Sequence, residues 1–248
     1  MSELAIERAK AAVRERYDRF AAQELAGGAY EPMPPAKQYF RARKLAAALE
    51  LGAFPSGAKL LEVGCSAGQF TLPLAGRGYD MTGVDLSPNA IEVAERRAAA
   101  CGQVPAFLVR DAERLEGLAD GVFDGVCSFS TLRYVPQLPQ ALAEIRRVLK
   151  PEGRAVLDFP NRWCPWLYVK PWLGSERHPH DRWFTAAALR QLFAQAGFVK
   201  IRIQPLLFTP TVAPGLLLPL FVAADRVGER TPGLRWLAGV LMVVAERP

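Results

Sequence analysis

The sequence predicts an α/β protein with a doubly wound, Rossmann-like sheet of seven strands and an N-terminal helical cap. From Lys59 onward, short runs of strand-forming residues alternate with helical ones, which is typical of βαβ units and a mostly parallel sheet. The 248 residues are 50% hydrophobic and have a mean hydropathy of +0.05, which suits one domain with a large core. We expect six parallel strands and a reversed C-terminal strand.

We predict that residues 1–50 form the helical cap and that residues 51–248 form the main domain. Residues 2–25 are charged and alanine-rich, which favours a helix, and a second helical run covers residues 37–51. A Gly-Gly pair and several prolines separate the two runs, because both residue types interrupt helices.

The strands and helices of the main domain are predicted from hydrophobic runs and helix-capping residues. The predicted strands are residues 59–63, 81–84, 106–110, 123–129, 154–159, 199–207 and 240–245. Ser87 is an N-cap candidate with Pro88 at the first helical position. Thr185 is an N-cap candidate for a later helix, which Gly197 ends.

Composition excludes several classes of protein. Lys and Arg number 31 against 25 Asp and Glu, a net charge of +6, but the basic residues are scattered, so we expect no nucleic-acid partner. The four cysteines are too far apart for CxxC pairs and the two histidines have no companion ligands, which predicts no metal site and no disulfide framework. The N-terminus lacks the apolar core of a signal peptide, so we expect a cytoplasmic protein.

The most informative segment is a buried strand that runs into a glycine-containing turn, from Leu60 to Gly68. Glycines at positions 64 and 68 let backbone amides approach a ligand at the carboxyl end of the strand, where open α/β sheets bind nucleotides. Taken alone, the segment also fits a simple strand-to-helix turn.

Acidic residues end the next two predicted strands. Asp85 lies seventeen residues after Gly68, where a carboxylate accepts hydrogen bonds from both hydroxyls of a ribose. Asp111, followed by Ala112, lies where a carboxylate accepts a hydrogen bond from an adenine amino group. Each aspartate alone is equally a helix cap, but together with the glycine turn they describe an adenosine-shaped pocket.

The acid before the turn discriminates among adenosine ligands. A nicotinamide cofactor needs G-x-G-x-x-G, so that a helix N-terminus can hold its pyrophosphate. Here three residues separate Gly64 from Gly68, and Glu62 would repel a pyrophosphate. A carboxylate at this place suits a positively charged ligand, and S-adenosylmethionine carries an ammonium and a sulfonium group. A nicotinamide-dependent dehydrogenase is therefore a distant alternative.

The chain resembles the class I S-adenosylmethionine-dependent methyltransferases, in particular the branch that acts on small molecules and lipids. The family's first motif, E/D-x-G-x-G-x-G, is met by Glu62, Gly64 and Gly68, with Ser66 where the middle glycine often stands. The resemblance covers about residues 40–203. Its further motifs are residues 123–128 in the fourth strand and residues 149–154 before the fifth strand.

The resemblance implies S-adenosylmethionine as the cofactor and S-adenosylhomocysteine as its product. Asp85 matches the family's ribose-binding acid, and Asp111 with Ala112 matches the site that contacts adenine. The implied cofactor-binding residues are Glu62, Gly64, Cys65, Ser66, Gly68, Asp85, Leu86, Asp111, Ala112 and Ser128.

The segment after the fourth strand indicates the class of acceptor. Family members that methylate the amino groups of bases usually carry D/N/S-P-P-Y there, whereas residues 128–131 read Ser-Phe-Ser-Thr. Residues 132–135 stand where small-molecule relatives often read L-H-H-V. Tyr134 would contact the acceptor and Arg133 an anionic group on it; alternatively, Arg133 is a surface residue and Tyr134 a packing residue.

An aromatic insert, residues 161–184, follows the fifth strand and holds four of the five tryptophans. Amphipathic aromatic residues suit an apolar acceptor pocket, a membrane interface, or a lid packed on its own underside. The predicted acceptor contacts in this insert are Trp163, Trp166 and Trp183.

The insert also contains the only two histidines, His178 and His180. Imidazole titrates near neutrality, so we expect one of them, by preference His180, to act as a general base. If the acceptor is a carboxylate, no base is needed and both are structural. The candidate catalytic residues are His180, His178 and Tyr134.

The apolar segment, residues 203–224, contains no charged residue and matches a membrane span in length. Its four prolines, about every five residues, argue against a regular spanning helix. It would wall an apolar acceptor channel, make peripheral contact with a membrane surface, or form a packed pair of short helices.

These observations predict methyl transfer from S-adenosylmethionine to a small or lipid-like apolar acceptor, preferably at oxygen. The reaction is an in-line displacement at an already activated carbon, so the protein mainly supplies alignment and exclusion of water. An RNA or protein methyltransferase is an alternative, although the scattered charge offers no basic groove. A non-catalytic partner subunit that binds S-adenosylmethionine is another.

Overall fold

The computed structural model describes residues 2–25, 33–169 and 180–248. Its helices are α1 (Glu3–Leu25), α2 (Pro35–Gly52), α3 (Thr71–Ala75), α4 (Pro88–Ala100), α5 (Leu138–Val148), α6 (Trp166–Val169), α7 (Ala186–Gln195) and α8 (Leu218–Arg230). Its strands are β1 (Lys59–Val63), β2 (Asp80–Asp85), β3 (Ala106–Val109), β4 (Phe123–Ser128), β5 (Leu149–Pro160), β6 (Val199–Leu206) and β7 (Val240–Glu246). Short 3-10 turns lie at Leu132–Tyr134, Gly215–Leu217 and Leu234–Leu237.

The seven strands form one sheet in the order β3-β2-β1-β4-β5-β7-β6. β7 runs antiparallel to both β5 and β6, and the pairs among β1 to β5 are parallel. The predicted seven-stranded sheet with a reversed C-terminal strand is therefore confirmed. The chain builds outward from β1 to β3 and then returns to place β4 on the other side of β1. This reversal is the switch point at which open α/β sheets bind ligands.

The predicted helix caps are confirmed. Ser87 Oγ accepts a hydrogen bond from Ala90 N at 3.0 Å, and Thr185 Oγ1 accepts one from Ala188 N at 3.2 Å. Gly197 follows α7 with a φ of 81°, a backbone conformation that suits glycine.

β5 begins five residues earlier than predicted. Residues 149–153, which the sequence analysis placed before the fifth strand, lie inside it. The pairing with β4 shifts between Phe123 and Gly125, and this irregularity accommodates the extra residues.

Helices cover both faces of the sheet, as the doubly wound prediction requires. On one face, Ile145 of α5 and Phe193 of α7 pack with Phe159 and Val243 of the sheet. On the other face, α2 packs directly on the sheet through Ala47 and Ala48, which join a cluster with Val156 and Met242. α2 therefore forms part of the hydrophobic core on this face of the sheet.

α1 lies beside α4, across the carboxyl ends of the first strands. Ala21 packs with Ala90 and Val93 of α4, and Asp18 accepts a hydrogen bond from the Ser87 hydroxyl. α1 therefore covers the switch point of the sheet.

Within the described residues, no helix is long and apolar enough to cross a membrane. The apolar segment 203–224 instead divides into the end of β6, a loop with a 3-10 turn, and the first half of α8.

Candidate cofactor and acceptor site

A cavity of about 320 Å³ lies at the carboxyl ends of β1 to β4 and is covered by α1 and α2. Its volume lies in the range of small-molecule sites. Nine residues predicted from the sequence line it: Glu62, Gly64, Cys65, Ser66, Asp85, Leu86, Asp111, Ala112 and Tyr134. The structure thus brings most of the predicted cofactor residues together with one predicted acceptor residue.

Two predicted cofactor residues do not line the cavity. Gly68 closes the turn instead: its N–H donates to the Cys65 carbonyl at 3.0 Å, and its φ is 74°. Ser128 is buried within the sheet, where its hydroxyl donates to the Val63 carbonyl at 2.7 Å. This bond ties β4 to β1, so the expectation of a cofactor contact from the Ser128 side chain is replaced by a structural role.

The turn after β1 depends on unusual backbone conformations at Gly64 and Ser66, whose φ angles are 79° and 46°. A Cβ atom at Gly64 would lie 2.1 Å from Thr131 Oγ1, so only glycine fits there. Asp85 holds this turn, because its Oδ2 accepts from Ser66 N at 2.8 Å. Its Oδ1 accepts from Ser87 N at 3.0 Å. Asp85 therefore joins the turn to the start of α4 while it faces the cavity.

Two neighbouring carboxyl groups give the cavity its electrostatic character. Glu62 is buried and accepts a hydrogen bond from the Thr71 hydroxyl at 2.5 Å. Burial raises the pKa of Glu62 to about 8; the Thr71 hydrogen bond opposes this rise and the charge of Asp85 adds to it. Burial also raises the pKa of Asp85. Two acids of raised pKa, one buried and one partly buried, favour a ligand that brings positive charge.

The predicted adenine-contacting acid has a partner that the sequence analysis missed. Lys10 of α1 places its Nζ 2.6 Å from Asp111 Oδ2 and 2.7 Å from Glu113 Oε2. Burial opposes the charge on Lys10, but the hydrogen bonds to both carboxylates outweigh it and raise its pKa to about 12. Asp111 still lines the cavity. Nothing in the local sequence pairs residues a hundred positions apart.

The end of the cavity under α2 holds a buried ion pair that the sequence analysis also missed. Lys44 of α2 contacts Asp158 of β5, and both side chains are buried. Lys44 Nζ donates to Ser130 Oγ at 2.6 Å and lies 4.8 Å from the centre of the Phe40 ring. A lone acid among the apolar residues of a central strand was the available signal, since buried carboxylates need a partner.

A smaller cavity of about 80 Å³ adjoins this end. Phe40, Lys44, Ser130 and Thr211 line both cavities. Trp166 lines the smaller one and donates its indole N–H to the Phe208 carbonyl at 2.6 Å. Among the three tryptophans predicted to contact the acceptor, Trp166 alone lines either cavity in the described structure.

The remaining predicted acceptor residues differ in position. Arg133 lines the smaller cavity and pairs through two nitrogens with the Asp181 carboxylate, so its charge has a partner within the chain. Trp163 is exposed, and Trp183 packs edge-on against Tyr168. Tyr134 lines the main cavity and meets Tyr17 of α1 edge-on, with ring centroids 6.4 Å apart. Burial raises the pKa of both tyrosines, so both are neutral at physiological pH.

The two histidines are not placed in the cavity by the described structure. His180 lines neither cavity, and His178 falls in residues 170–179, outside the described ranges. In the described structure, Lys44 lines both cavities and His180 lines neither.

The fold and the cavity are those expected of a protein that binds S-adenosylmethionine at the switch point of an open α/β sheet. The glycine turn, the acids at the ends of β1, β2 and β3, and the preference for positive charge fit this cofactor. A family model described as "Methyltransferase domain" matches residues 61–157. The matched domain and the similar proteins described below support a class I S-adenosylmethionine-dependent methyltransferase.

Two similar proteins are both named ubiquinone biosynthesis O-methyltransferase. The protein from Idiomarina loihiensis is 29% identical over 162 residues, which cover 62% of this chain and 67% of that protein. The protein from Azorhizobium caulinodans is 28% identical over 162 residues, covering 62% of this chain and 64% of that protein. The chain thus spans about two thirds of the length of these relatives.

Solved structures support the fold over nearly the whole chain. The crystal structure of the cyclase SpnF has a TM-score of 0.68 and 22% sequence identity, and the match covers 95% of each chain. At this identity the likeness concerns the fold alone.

Proposed function

We propose that this protein transfers the methyl group of S-adenosylmethionine to an oxygen atom of a small or lipid-like apolar acceptor. The observation that carries the proposal is the arrangement of the main cavity, which has acids at one end and a buried lysine among aromatic residues at the other. Phe40, Phe70 and Phe129 supply the apolar surface near Lys44.

The acidic end serves the cofactor. S-adenosylmethionine, when bound, supplies a methyl group attached to a positively charged sulfur. Glu62 and Asp85 would compensate the positive charge that enters with it, and Asp111 would orient the adenine end. α1 and α2 cover the cavity and exclude water from the reacting groups.

The lysine end favours an oxygen acceptor. Lys44 would stabilise an acceptor oxyanion within hydrogen-bond distance. An acidic hydroxyl would therefore bind in its ionised form, after its proton has passed to bulk solvent outside the cavity. An amine acceptor would gain positive charge as its new bond forms, and Lys44 would oppose that charge. Asp158 and Ser130 fix the position of Lys44, so these two residues act through it.

The helices that cover the cavity weigh against the polymer-directed alternatives. Tyr17 of α1 and Phe40 of α2 line it from above, which suits a small acceptor better than a nucleic acid or a protein. A non-catalytic cofactor-binding subunit is the second candidate, and it would require no ordered charge at the acceptor end. The buried Lys44–Asp158 pair therefore supports an enzyme.

The deciding experiment is a screen with S-adenosylmethionine carrying an isotopically labelled methyl group. Matched lipophilic and hydrophilic acceptors that bear a hydroxyl, an amine or an activated carbon would be incubated with the protein and analysed by mass spectrometry. We expect label on oxygen of lipophilic hydroxyl compounds. Label confined to amines or to water-soluble acceptors would contradict the proposed acceptor class. Cofactor binding without any labelled product across the panel would favour the non-catalytic candidate.

A further inference from the structure

Residues 212–237 present an apolar surface that the proposed catalytic site does not use. The exposed large hydrophobic side chains in this range are Val212, Leu216, Leu217, Leu220, Val227, Leu234 and Leu237. Leu216 is 91% exposed and Leu220 is 69% exposed. We call these residues, together with Arg226, Arg230 and Arg235, the α8 surface.

The outer side of α8 is apolar by helical geometry. Leu220, Ala223, Ala224 and Val227 are spaced at i, i+3, i+4 and i+7, so they share one side of the helix, and all four are exposed. The inner side is held by Asp225, which is buried and accepts a hydrogen bond from Thr209 Oγ1 at 2.7 Å. The apolar stripe therefore faces outward on an anchored helix.

The charges around the stripe are segregated by sign. Arg226, Arg230 and Arg235 are exposed, and no ion pair joins them to an acid in the described parts of the chain. The nearby acids are turned inward: Asp225 is buried, and Glu229 bonds to Arg43 at 2.5 Å and to Leu207 N at 2.9 Å. The α8 surface thus combines exposed apolar groups with unbalanced positive charge.

We propose that the α8 surface docks this protein on the surface of an anionic lipid bilayer. A bilayer supplies both complements at once, since apolar side chains enter the boundary of the acyl chains while arginines meet the anionic headgroups. A second copy of the chain fits less well, because self-association through the stripe would bring the arginines of two copies together without acids to balance them.

The position of this surface suits delivery of an apolar acceptor. Thr211 lines both cavities and precedes the first exposed residue of the α8 surface. A Cβ atom at Gly215 would lie 3.7 Å from Pro35 Cγ, so this segment meets the start of α2, which covers the main cavity. Docking would place the cavity beside the bilayer, although the docking itself does not depend on the proposed methyl transfer.

The test is flotation with vesicles of phosphatidylcholine alone and of phosphatidylcholine with phosphatidylglycerol, at low and high salt. We expect the protein to float with the anionic vesicles, and to bind at least about tenfold more weakly to neutral vesicles or at high salt. The Arg226→Glu/Arg230→Glu variant and the Leu216→Ser/Leu220→Ser variant should each weaken binding to anionic vesicles by at least about tenfold.

The matched control is Val104→Ser. Val104 is 98% exposed and precedes β3, at the opposite edge of the sheet from β6, against which α8 packs. This variant should bind vesicles like the unaltered protein, and cofactor affinity should be unchanged in all variants. Failure of the unaltered protein to float, or equal binding by the α8 variants, would overturn the proposal. Concentration-dependent dimers that the α8 substitutions abolish, with no vesicle binding, would assign the surface to a second copy instead.

Discussion

Lys10 Nζ lies 2.6 Å from Asp111 Oδ2, which attaches the first helix of the chain to the end of β3. The same ammonium group reaches the buried carboxylate of Glu113 at 2.7 Å. One side chain of α1 therefore holds this helix over the part of the cavity where we expect the adenine of the cofactor.

Replacing Lys10 by alanine should loosen α1 and lower the free energy of unfolding by about 1–3 kcal/mol, because buried Glu113 loses a charged partner. Chemical denaturation measures the change, and hydrogen exchange should show faster exchange in α1. The control is Arg19→Ala, which removes an exposed pair with Glu15 and should change stability by no more than about 0.5 kcal/mol. Equal effects of the two substitutions would show that Lys10 does not hold the helix.

Replacing Asp85 by alanine should weaken binding of S-adenosylhomocysteine about ten- to hundredfold. The variant loses the carboxylate that we assign to the ribose and also the acceptor that holds Ser66 N. Isothermal titration calorimetry gives the affinity. Asp80→Ala is the matched control, since Asp80 is exposed at the opposite end of the same strand. Unchanged affinity in Asp85→Ala would remove our placement of the ribose.

Glu62 should make the ligand-free protein less stable as the pH rises. Its pKa in the folded protein is about 8, above an unfolded value of 4.5, because burial disfavours its charge. The folded state then holds the proton more tightly, so the stabilisation from this group is present below pH 4.5 and is lost as the pH rises to about 8. Each unit of pKa difference corresponds to about 1.4 kcal/mol.

The Glu62→Gln variant tests this effect, because glutamine does not titrate. We expect the two ligand-free proteins to differ little near pH 5 and the variant to become the more stable one near pH 9, as measured by chemical denaturation. The variant should also bind S-adenosylmethionine more weakly. A stability difference that does not change with pH would contradict the assignment.

Variants of Lys44 and His180 distinguish two hypotheses: that Lys44 stabilises the acceptor oxyanion, or that a histidine removes the acceptor proton as a general base. With an acceptor identified by the screen, Lys44→Met/Asp158→Asn should lower kcat by about a hundredfold, because the oxyanion loses its stabilising charge. The double change avoids leaving buried Asp158 unpaired, and Lys44→Arg should retain part of the rate. His180→Ala should keep the rate within about threefold at every pH. A large loss in His180→Ala with full activity in the lysine variants would restore histidine as the base.

The parts of the architecture that depend on neighbouring residues could be predicted from the sequence. Strand patterns, the Ser87 and Thr185 caps and the glycine turn depend on neighbouring residues, and they place Glu62, Asp85 and Asp111 at one edge of the sheet. The cofactor end of the cavity follows from these positions, because the carboxyl ends of parallel strands share one edge.

The acceptor end depends on contacts between distant segments. Lys44 meets Asp158 only because α2 packs on β5. The lone acid in β5 indicates that a partner is needed, but no pattern in either segment identifies Lys44 as that partner. In the aromatic insert, composition alone predicts an acceptor pocket. Trp163 is nevertheless exposed, whereas Trp166 lines the smaller cavity. Composition predicts the presence of apolar surface but not its direction.

The close approach of Gly64 to Thr131 couples the backbone at the cofactor end of the cavity to the backbone at the acceptor end. Any side chain at position 64 would displace Thr131, and with it the neighbouring Ser130, whose hydroxyl meets Lys44. A substitution in the cofactor turn would therefore be transmitted to the acceptor end even if the cofactor still bound. Engineering of this protein toward new acceptors should leave Gly64 and Thr131 untouched and vary the residues that α2 contributes.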